Sequence, residues 1–285
     1  FRNKKSQKQR IQQATQTIQR TLNNNIERCR KKLKIFNQQL LDASKREKYK
    51  QYGELITANL YKINQGDTEI SVINYFEEGM PEITIKIDPT VPPSKLVQSY
   101  FTKYNKAKNS EIQAHIQIET AEKELEYLEA VLDSLMRVRE IADIKEIKEE
   151  LISEGYIKEN DTPKRNRKKV EIPQPKKEEI DGYTIYIGKN NKQNDYLTLK
   201  IAHSNDIWLH TKNIPGSHVI IIKKPNEEIP ENVILAAAKL AALNSKAKGM
   251  AKTPVDYTIV KNVKKPSGAK PGMVIYDNYN TVYVN

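Results

Sequence analysis

The chain has 285 residues, 38% of them hydrophobic, a mean hydropathy of −0.73 and a net charge of +12. That length accommodates one to three domains, and that polarity excludes a single compact globule throughout, so much of the chain is expected as extended, solvated helix. No apolar run approaches the roughly 18–20 residues that span a bilayer, and the basic start lacks the apolar segment of a secretory signal. The single Cys29 excludes an internal disulfide framework and suits a reducing cytosol. Because Phe1 already stands inside a helical pattern, a fragment of a longer protein is expected.

Charge falls in blocks: +12 over residues 1–66, −1 over 67–110, −8 over 111–160, +4 over 161–178 and +5 over 179–285. A basic first segment and an acidic third one are suited to lie side by side, and the remaining excess suits a polyanionic partner. In the first arm (1–62), apolar residues at Ile11, Ile18, Leu22, Ile26, Cys29, Leu33, Phe36 and Leu40 follow the spacing of a coiled-coil seam. Residues 63–110 differ in texture. Glu69 to Tyr75 and Glu82 to Ile87 alternate apolar and polar around EEGMP, which reads as a β-hairpin. The segment Asp88-Pro-Thr-Val-Pro-Pro-Ser94 then breaks the chain and supplies an N-cap for a helix from about Lys95.

The second arm (111–158) repeats the seam at Ile118, Ala121, Leu125, Leu128, Leu132 and Leu135, then continues less regularly through Ile141, Ile144, Ile147 and Leu151. The expected architecture is a long antiparallel coiled-coil hairpin carrying a small β-containing tip domain. Opposite arm charges favour intramolecular pairing over a homodimer, although the pattern leaves dimerisation through the arms open. Residues 159–179 form a basic, Pro-interrupted linker with a patch of Arg165, Arg167, Lys168 and Lys169, expected to be flexible or weakly ordered.

From 180 to 285 strands are expected near 183–188, 196–202, 207–210, 218–223, 256–263, 273–277 and 281–284, with an Ala-rich helix at about 230–246. The chain is thus expected to be α+β and multidomain, ending in a module with a mostly antiparallel sheet and one main helix.

Catalytic signatures are mostly missing, and a non-enzyme without cofactor or metal is expected. Gly268-Ala269-Lys270-Pro271-Gly272 lacks the GK[ST] ending and following helix of a phosphate-binding loop. None of His115, His203, His210 and His218 has a Cys or His neighbour at zinc spacing. Ser217, His218 and Asp206 can be drawn as a hydrolase triad, but adjacent strand residues point to opposite faces and no nucleophile elbow is present.

Three features of the last module point to RNA. Lys189-Asn190-Asn191-Lys192-Gln193-Asn194-Asp195 is dense in amide donors suited to phosphate oxygens or base edges; an ordinary hairpin turn explains the same composition. Trp208 and His210 share one face of a strand, where they suit stacking on an unpaired base; a buried core Trp with a hydrogen-bonded His fits equally. Lys261, Lys264, Lys265 and Lys270, interrupted by Pro and Gly, suit a phosphate footprint together with the linker patch, though loop lysines are usually just solvated.

The ordered run from Asp181 to Ile222, with its amide-rich turn, Trp208-Leu209-His210 and Pro215-Gly216-Ser217-His218, resembles the C-terminal RNA-binding module of the NFACT family. So do EEIPENVILAAAKLAALNSKAK and the closing YTIVKNVKKPSGAKPGMVIYDNYNTVYVN, and YGELITANLY matches the family's coiled-coil middle more loosely. The resemblance adds Ser217 and His218 to the expected RNA-binding residues. It implies a ribosome-associated quality-control role: binding of obstructed large subunits with peptidyl-tRNA, contacts to rRNA, tRNA and the stalk base, and untemplated alanine tailing of stalled chains. By the same resemblance, tRNA discrimination belongs to a domain this chain lacks. An older family name implies the alternative, a fibronectin-binding surface adhesin of a pathogen, exposed without a signal peptide; the single Cys and basic charge favour a cytoplasmic RNA partner.

Overall fold

The computed structural model describes residues 2–158 and 174–285, with side chains from residue 9 onward. The basic linker patch Arg165, Arg167, Lys168 and Lys169 lies outside the described residues. The chain is α+β, as expected, and divides into two compact units, one of residues 29–123 and one of residues 1–28 with 124–285.

Two long helices take part in both units: α1 (Arg2–Ala43) and α3 (Pro93–Met136). The seam positions are the sheltered ones along α1, where Ile18, Leu22, Ile26 and Cys29 are buried and Leu33, Phe36 and Leu40 half-buried. Along α3, Ala114, Ala121, Leu128 and Leu135 are buried at heptad spacing, so the three-four repeat marks what each helix hides from water.

In the unit of residues 29–123, α2 (Arg46–Ala58) runs antiparallel to the start of α3. Arg46 pairs with Glu111, and seven residues later Gly53 lies against Phe101, where an added Cβ would come within 3.2 Å of the ring. The hairpin β1 (Glu69–Ile73) and β2 (Glu82–Lys86) pairs Ile73 with Glu82 and Glu69 with Lys86. Its inner face, Ile70, Val72 and Ile85, packs on Leu55, Ile56 and Leu96 in a separate small core. The tip of the hairpin leaves Tyr75, Phe76 and Met80 exposed.

In the other unit, α3 stops at Met136 and a new helix, α4 (Ile141–Ser153), follows. The sequence pattern reads as one arm continued; Arg137–Glu140 instead breaks the helix, and α4 sets Asp143, Ile144, Ile147, Glu150 and Leu151 into buried positions. The closing module is a six-stranded antiparallel sheet, ordered β10-β7-β5-β6-β4-β3. Its strands are β3 (Lys176–Ile180), β4 (Tyr183–Ile187), β5 (Ile207–Thr211), β6 (Val219–Ile221), β7 (Thr253–Ile259) and β10 (Asn280–Val284), and β8 (Val263–Lys264) with β9 (Ile275–Tyr276) form a separate two-stranded ladder.

Helix α6 (Glu231–Leu243) covers one face of the sheet. Its Ala237, Ala238 and Ala241, all fully buried, bring the helix backbone close to Leu209, Val219, Ile221 and Val255, which is the use of small residues at a tight helix–sheet contact. Strand β3 arises where composition indicates linker. It is an edge strand, and its Lys176–Glu178 and Lys177–Glu179 pairs charge the edge that would otherwise template further pairing.

The strand expected over 196–202 is helical instead: α5 (Asn191–Tyr196) runs into a π-helical turn over Leu197–Ile201. Leu197 and Ile201, four residues apart, both pack into the core on the sheet's second face with Trp208, Ile220 and Val263. The run YLTLKI satisfies strand alternation and helical spacing equally, and the cap supplied by Asn190 decides between them.

Candidate nucleic-acid interface

The amide-rich run opens a helix rather than a hairpin loop. Asn190 is the cap: it sits in extended backbone and its Oδ1 accepts the Gln193 N–H at 2.9 Å. Gln193 Oε1 in turn accepts the Lys189 N–H at 3.0 Å. Asn190, Asn191, Gln193 and Asn194 are all buried, and buried amides require partners.

Those partners lie more than forty residues away, on α4. Asn190 and Gln193 both donate to the same Glu146 oxygen, at 2.6 and 2.9 Å. Asn191 donates to Glu150 at 3.2 Å. Lys189 pairs with Asp143 at 2.7 Å and Lys192 with Glu149 at 3.7 Å. The acidic positions 143, 146, 150 and 154 share one helical face by their three-four spacing, so a row of carboxylates rests on the row of donors.

Glu150 is the most deeply set of these acids. It accepts from the Tyr127 hydroxyl at 2.9 Å as well as from Asn191. Burial outweighs both bonds and pushes its carboxyl up to about 7. Burial and the adjacent Glu150 push the Tyr127 phenol up in turn.

Asn194 turns the other way. Its Oδ1 accepts the His218 N–H at 3.0 Å, and its amide donates to the Gly216 carbonyl. His218, Trp208 and His210 form one ring cluster, with centroids 5.2 Å apart for Trp208–His218 and 5.8 Å for Trp208–His210. Tyr276 closes it at 4.7 Å from Trp208. Trp208 is 1% exposed and therefore occupies the core position that its spacing also allows. Burial drives His210 down to about 4 and His218 well below the ordinary imidazole range, so both rings are neutral at pH 7. Ser217 is buried, with its Oγ taking a hydrogen bond from Arg137 at 3.2 Å.

The three lysines of the closing loop divide. Lys265 is anchored, donating to Asp195 at 2.7 Å and to the Lys270 carbonyl at 2.9 Å. Asp195 holds the other end of that loop through the Gly272 N–H at 3.0 Å. Lys270 pairs with Glu154 at 3.0 Å and stands 5.1 Å from the centroids of both Tyr127 and Tyr156, a cation held by two rings and a carboxylate. Lys264 alone of the three is exposed.

Lys261, part of the same basic tail, and Lys223, unnoticed in the sequence, are also exposed, and their backbones hold one turn. The Lys261 N–H donates to the Ser204 carbonyl at 3.0 Å and the Lys223 N–H to Asp206 at 2.8 Å. Lys223, Lys261 and Lys264 have no ion pair among the described residues. Spacing carries no signal for Lys223, which the backbone contact with Asp206 brings to this turn. The described residues contain no group of side chains fit to hold a metal ion and no helix long and apolar enough to cross a membrane.

Comparison with known proteins agrees with this anatomy. Residues 1–170 match the family model of the NFACT N-terminal and middle domains, and 176–278 that of the NFACT protein RNA binding domain. The chain is 42% identical over 281 residues to the Rqc2 homolog RqcH of Bacillus subtilis, covering 98% of this chain and 49% of that protein. It is 37% identical over 286 residues to the Rqc2 homolog RqcH of Streptococcus suis, covering 98% and 50%. It thus spans about half the length of the curated relatives it matches. The solved C-terminal part of the fibronectin/fibrinogen-binding protein of Streptococcus suis superposes with a TM-score of 0.73 at 33% identity, covering 96% of this chain and 95% of that one. Matched by two successive family models over residues 1–170 and 176–278, the chain belongs to the NFACT family and carries that family's RNA-binding domain.

Proposed function

We propose that this chain is the ribosome- and RNA-contacting half of a quality-control factor of the RqcH type. In this reading it docks on large subunits obstructed by peptidyl-tRNA, contacts rRNA and tRNA, and supports untemplated alanine tailing by the whole protein without catalysing a reaction itself. The observation that carries the proposal is the similarity of 98% of this chain to half of an RqcH protein, combined with an RNA-binding domain over residues 176–278.

The geometry supports it in two places. Lys223, Lys261 and Lys264 are exposed and without an ion pair among the described residues, with the Lys223 and Lys261 backbones on one turn and Lys264 three residues on from Lys261, as suits a phosphate footprint. At the hairpin tip, the exposed Tyr75 and Phe76 rings lie 4.5 Å apart, which suits a protein contact such as the stalk base. The proposed domains follow the sequence reading, with arms at 1–62 and 111–158, a tip at 63–110, a linker at 159–179 and the RNA module at 180–285, except that the linker's last residues 176–179 enter the module's sheet as β3. The proposed site of action is the cytoplasm.

Sedimentation with purified large and small ribosomal subunits across a salt series tests the proposal. Saturable, salt-sensitive binding that prefers the large subunit is expected; equal or absent binding would overturn it. The similarity to a fibronectin/fibrinogen-binding protein favours a second reading, adhesion to matrix protein. Saturable capture of immobilised fibronectin at physiological salt, with no ribosome binding, would put that reading first.

A further inference from the structure

The groups expected to meet RNA are already occupied by the chain's own acidic helix. Lys189, Asn190, Asn191, Lys192 and Gln193 direct their donors onto carboxylates of α4, and Lys270 onto Glu154 just beyond it. The chemistry on each side is one-sided. Ammonium groups and side-chain NH2 groups donate only, while ionised carboxylates accept only. One Glu146 oxygen collects two amide donors at 2.6 and 2.9 Å, the arrangement those donors would offer a phosphate oxygen. Lys192 and Glu149 remain partly exposed, so the contact has a wet rim. The helix itself is short, 13 residues, and is bounded by the non-helical segments 137–140 and 154–158, so it moves as one element, its departure opposed by the burial of Ile144, Ile147 and Leu151.

The geometry points to α4 as a resident phosphate mimic: it covers a second RNA-backbone surface made of Lys189, Asn190, Asn191, Lys192, Gln193 and Lys270, and RNA gains that surface by displacing it. This rests on residues 176–278 being the RNA-binding part of the chain. The open lysines Lys223, Lys261 and Lys264 give first contact, and exchange of carboxylates for phosphates on the covered surface then lets RNA engagement free α4 from the module. The net process is a competition between two polyanions for one set of donors, so occupancy by RNA and docking of α4 are reciprocal.

Binding of end-labelled bulk bacterial tRNA to the full chain at low salt tests this. Three chains are compared: unaltered, Asp143→Asn with Glu146→Gln and Glu149→Gln, and a control of equal charge change, Glu69→Gln with Glu78→Gln and Glu82→Gln on the β1–β2 hairpin. The α4 variant should bind tRNA at least about five-fold more tightly than the control, the lower end of ordinary coupling between two sites. In the unaltered chain, saturating tRNA should speed amide hydrogen exchange in residues 141–153. If tRNA binds the unaltered chain but the α4 variant matches the control, or exchange in α4 does not change at saturation, the mimicry is overturned and the RNA-binding reading stands. If no chain binds tRNA, the RNA-binding reading falls and the mimicry with it.

Discussion

Tyr127 on α3 donates its hydroxyl to Glu150 on α4 at 2.9 Å, with the two side chains 0% and 3% exposed. Asn191 completes the acid's environment from the RNA-binding domain at 3.2 Å. One buried carboxyl therefore ties the end of the long helix, the acidic helix and the start of α5 together, and its protonation is linked to how firmly they hold.

Glu150 should make stability fall as pH rises. Its carboxyl sits at about 7 in the folded chain against an ordinary 4.5, so the folded state binds the extra proton between those values. The stabilisation is complete below about pH 4.5 and is lost as pH climbs through 7. Glu150→Gln keeps an acceptor for Tyr127 and a neutral group at every pH. The variant should unfold at higher denaturant than the parent at pH 8, by on the order of 2–3 kcal/mol, and match it near pH 4.5. Urea midpoints for both chains across this range check it, and parallel curves would refute the buried-acid assignment.

Trp208 is predicted to act on stability rather than on contact with a base. It is 1% exposed and surrounded by His210, His218 and Tyr276. Trp208→Ala should cost about 3–5 kcal/mol, as for other large buried aromatics, read as a drop in melting temperature. Trp208→Phe should cost much less, because the buried Trp208 Nε1 has no hydrogen-bond partner to lose. An unchanged melting temperature in Trp208→Ala, with RNA affinity lost, would return the ring to the surface.

Much of the fold is legible from spacing alone, because burial repeats with the element's own period. The seam residues Ile18, Leu22, Ile26 and Cys29 and the α6 alanines Ala237, Ala238, Ala241 and Ala242 are buried where the pattern places them. At Leu197–Ile201 periodicity is ambiguous, and the side-chain cap at Asn190, immediately before the helix, settles the outcome. The environment of the candidate site is not legible. Lys189, Asn190 and Gln193 meet Asp143 and Glu146 across 44–47 residues, and a run of amides looks alike whether it caps a helix, turns a hairpin or holds RNA.

The lysines of the closing loop should separate by readout. Lys264 is exposed, with no ion pair among the described residues, so Lys264→Ala should leave the melting temperature unchanged. If it contacts phosphate, the variant should lower the salt slope of tRNA binding by about 0.7–0.9, the release from one phosphate contact. Lys265→Ala removes both the Asp195 pair and the bond to the Lys270 carbonyl, and should lower stability by about 1–3 kcal/mol. Equal effects of the two variants on melting temperature would contradict the division between a free and an anchored lysine.

Gly272 is where the closing loop and the amide row are most tightly fitted. Its φ of +76° belongs to the left-handed region, its N–H donates to Asp195, and an added Cβ would lie 2.5 Å from Asn191 Oδ1. Gly272→Ala combines backbone strain with a collision, together about 2–4 kcal/mol. The collision pushes Asn191 away from Glu150, so the variant should also move the acid's protonation. With the Asn191 bond to its charged form weakened, the carboxyl should rise further above 7, and the fall in stability should extend to higher pH than in the parent. A variant that loses stability equally at every pH would place the strain in the loop alone and leave the Asn191–Glu150 bond intact.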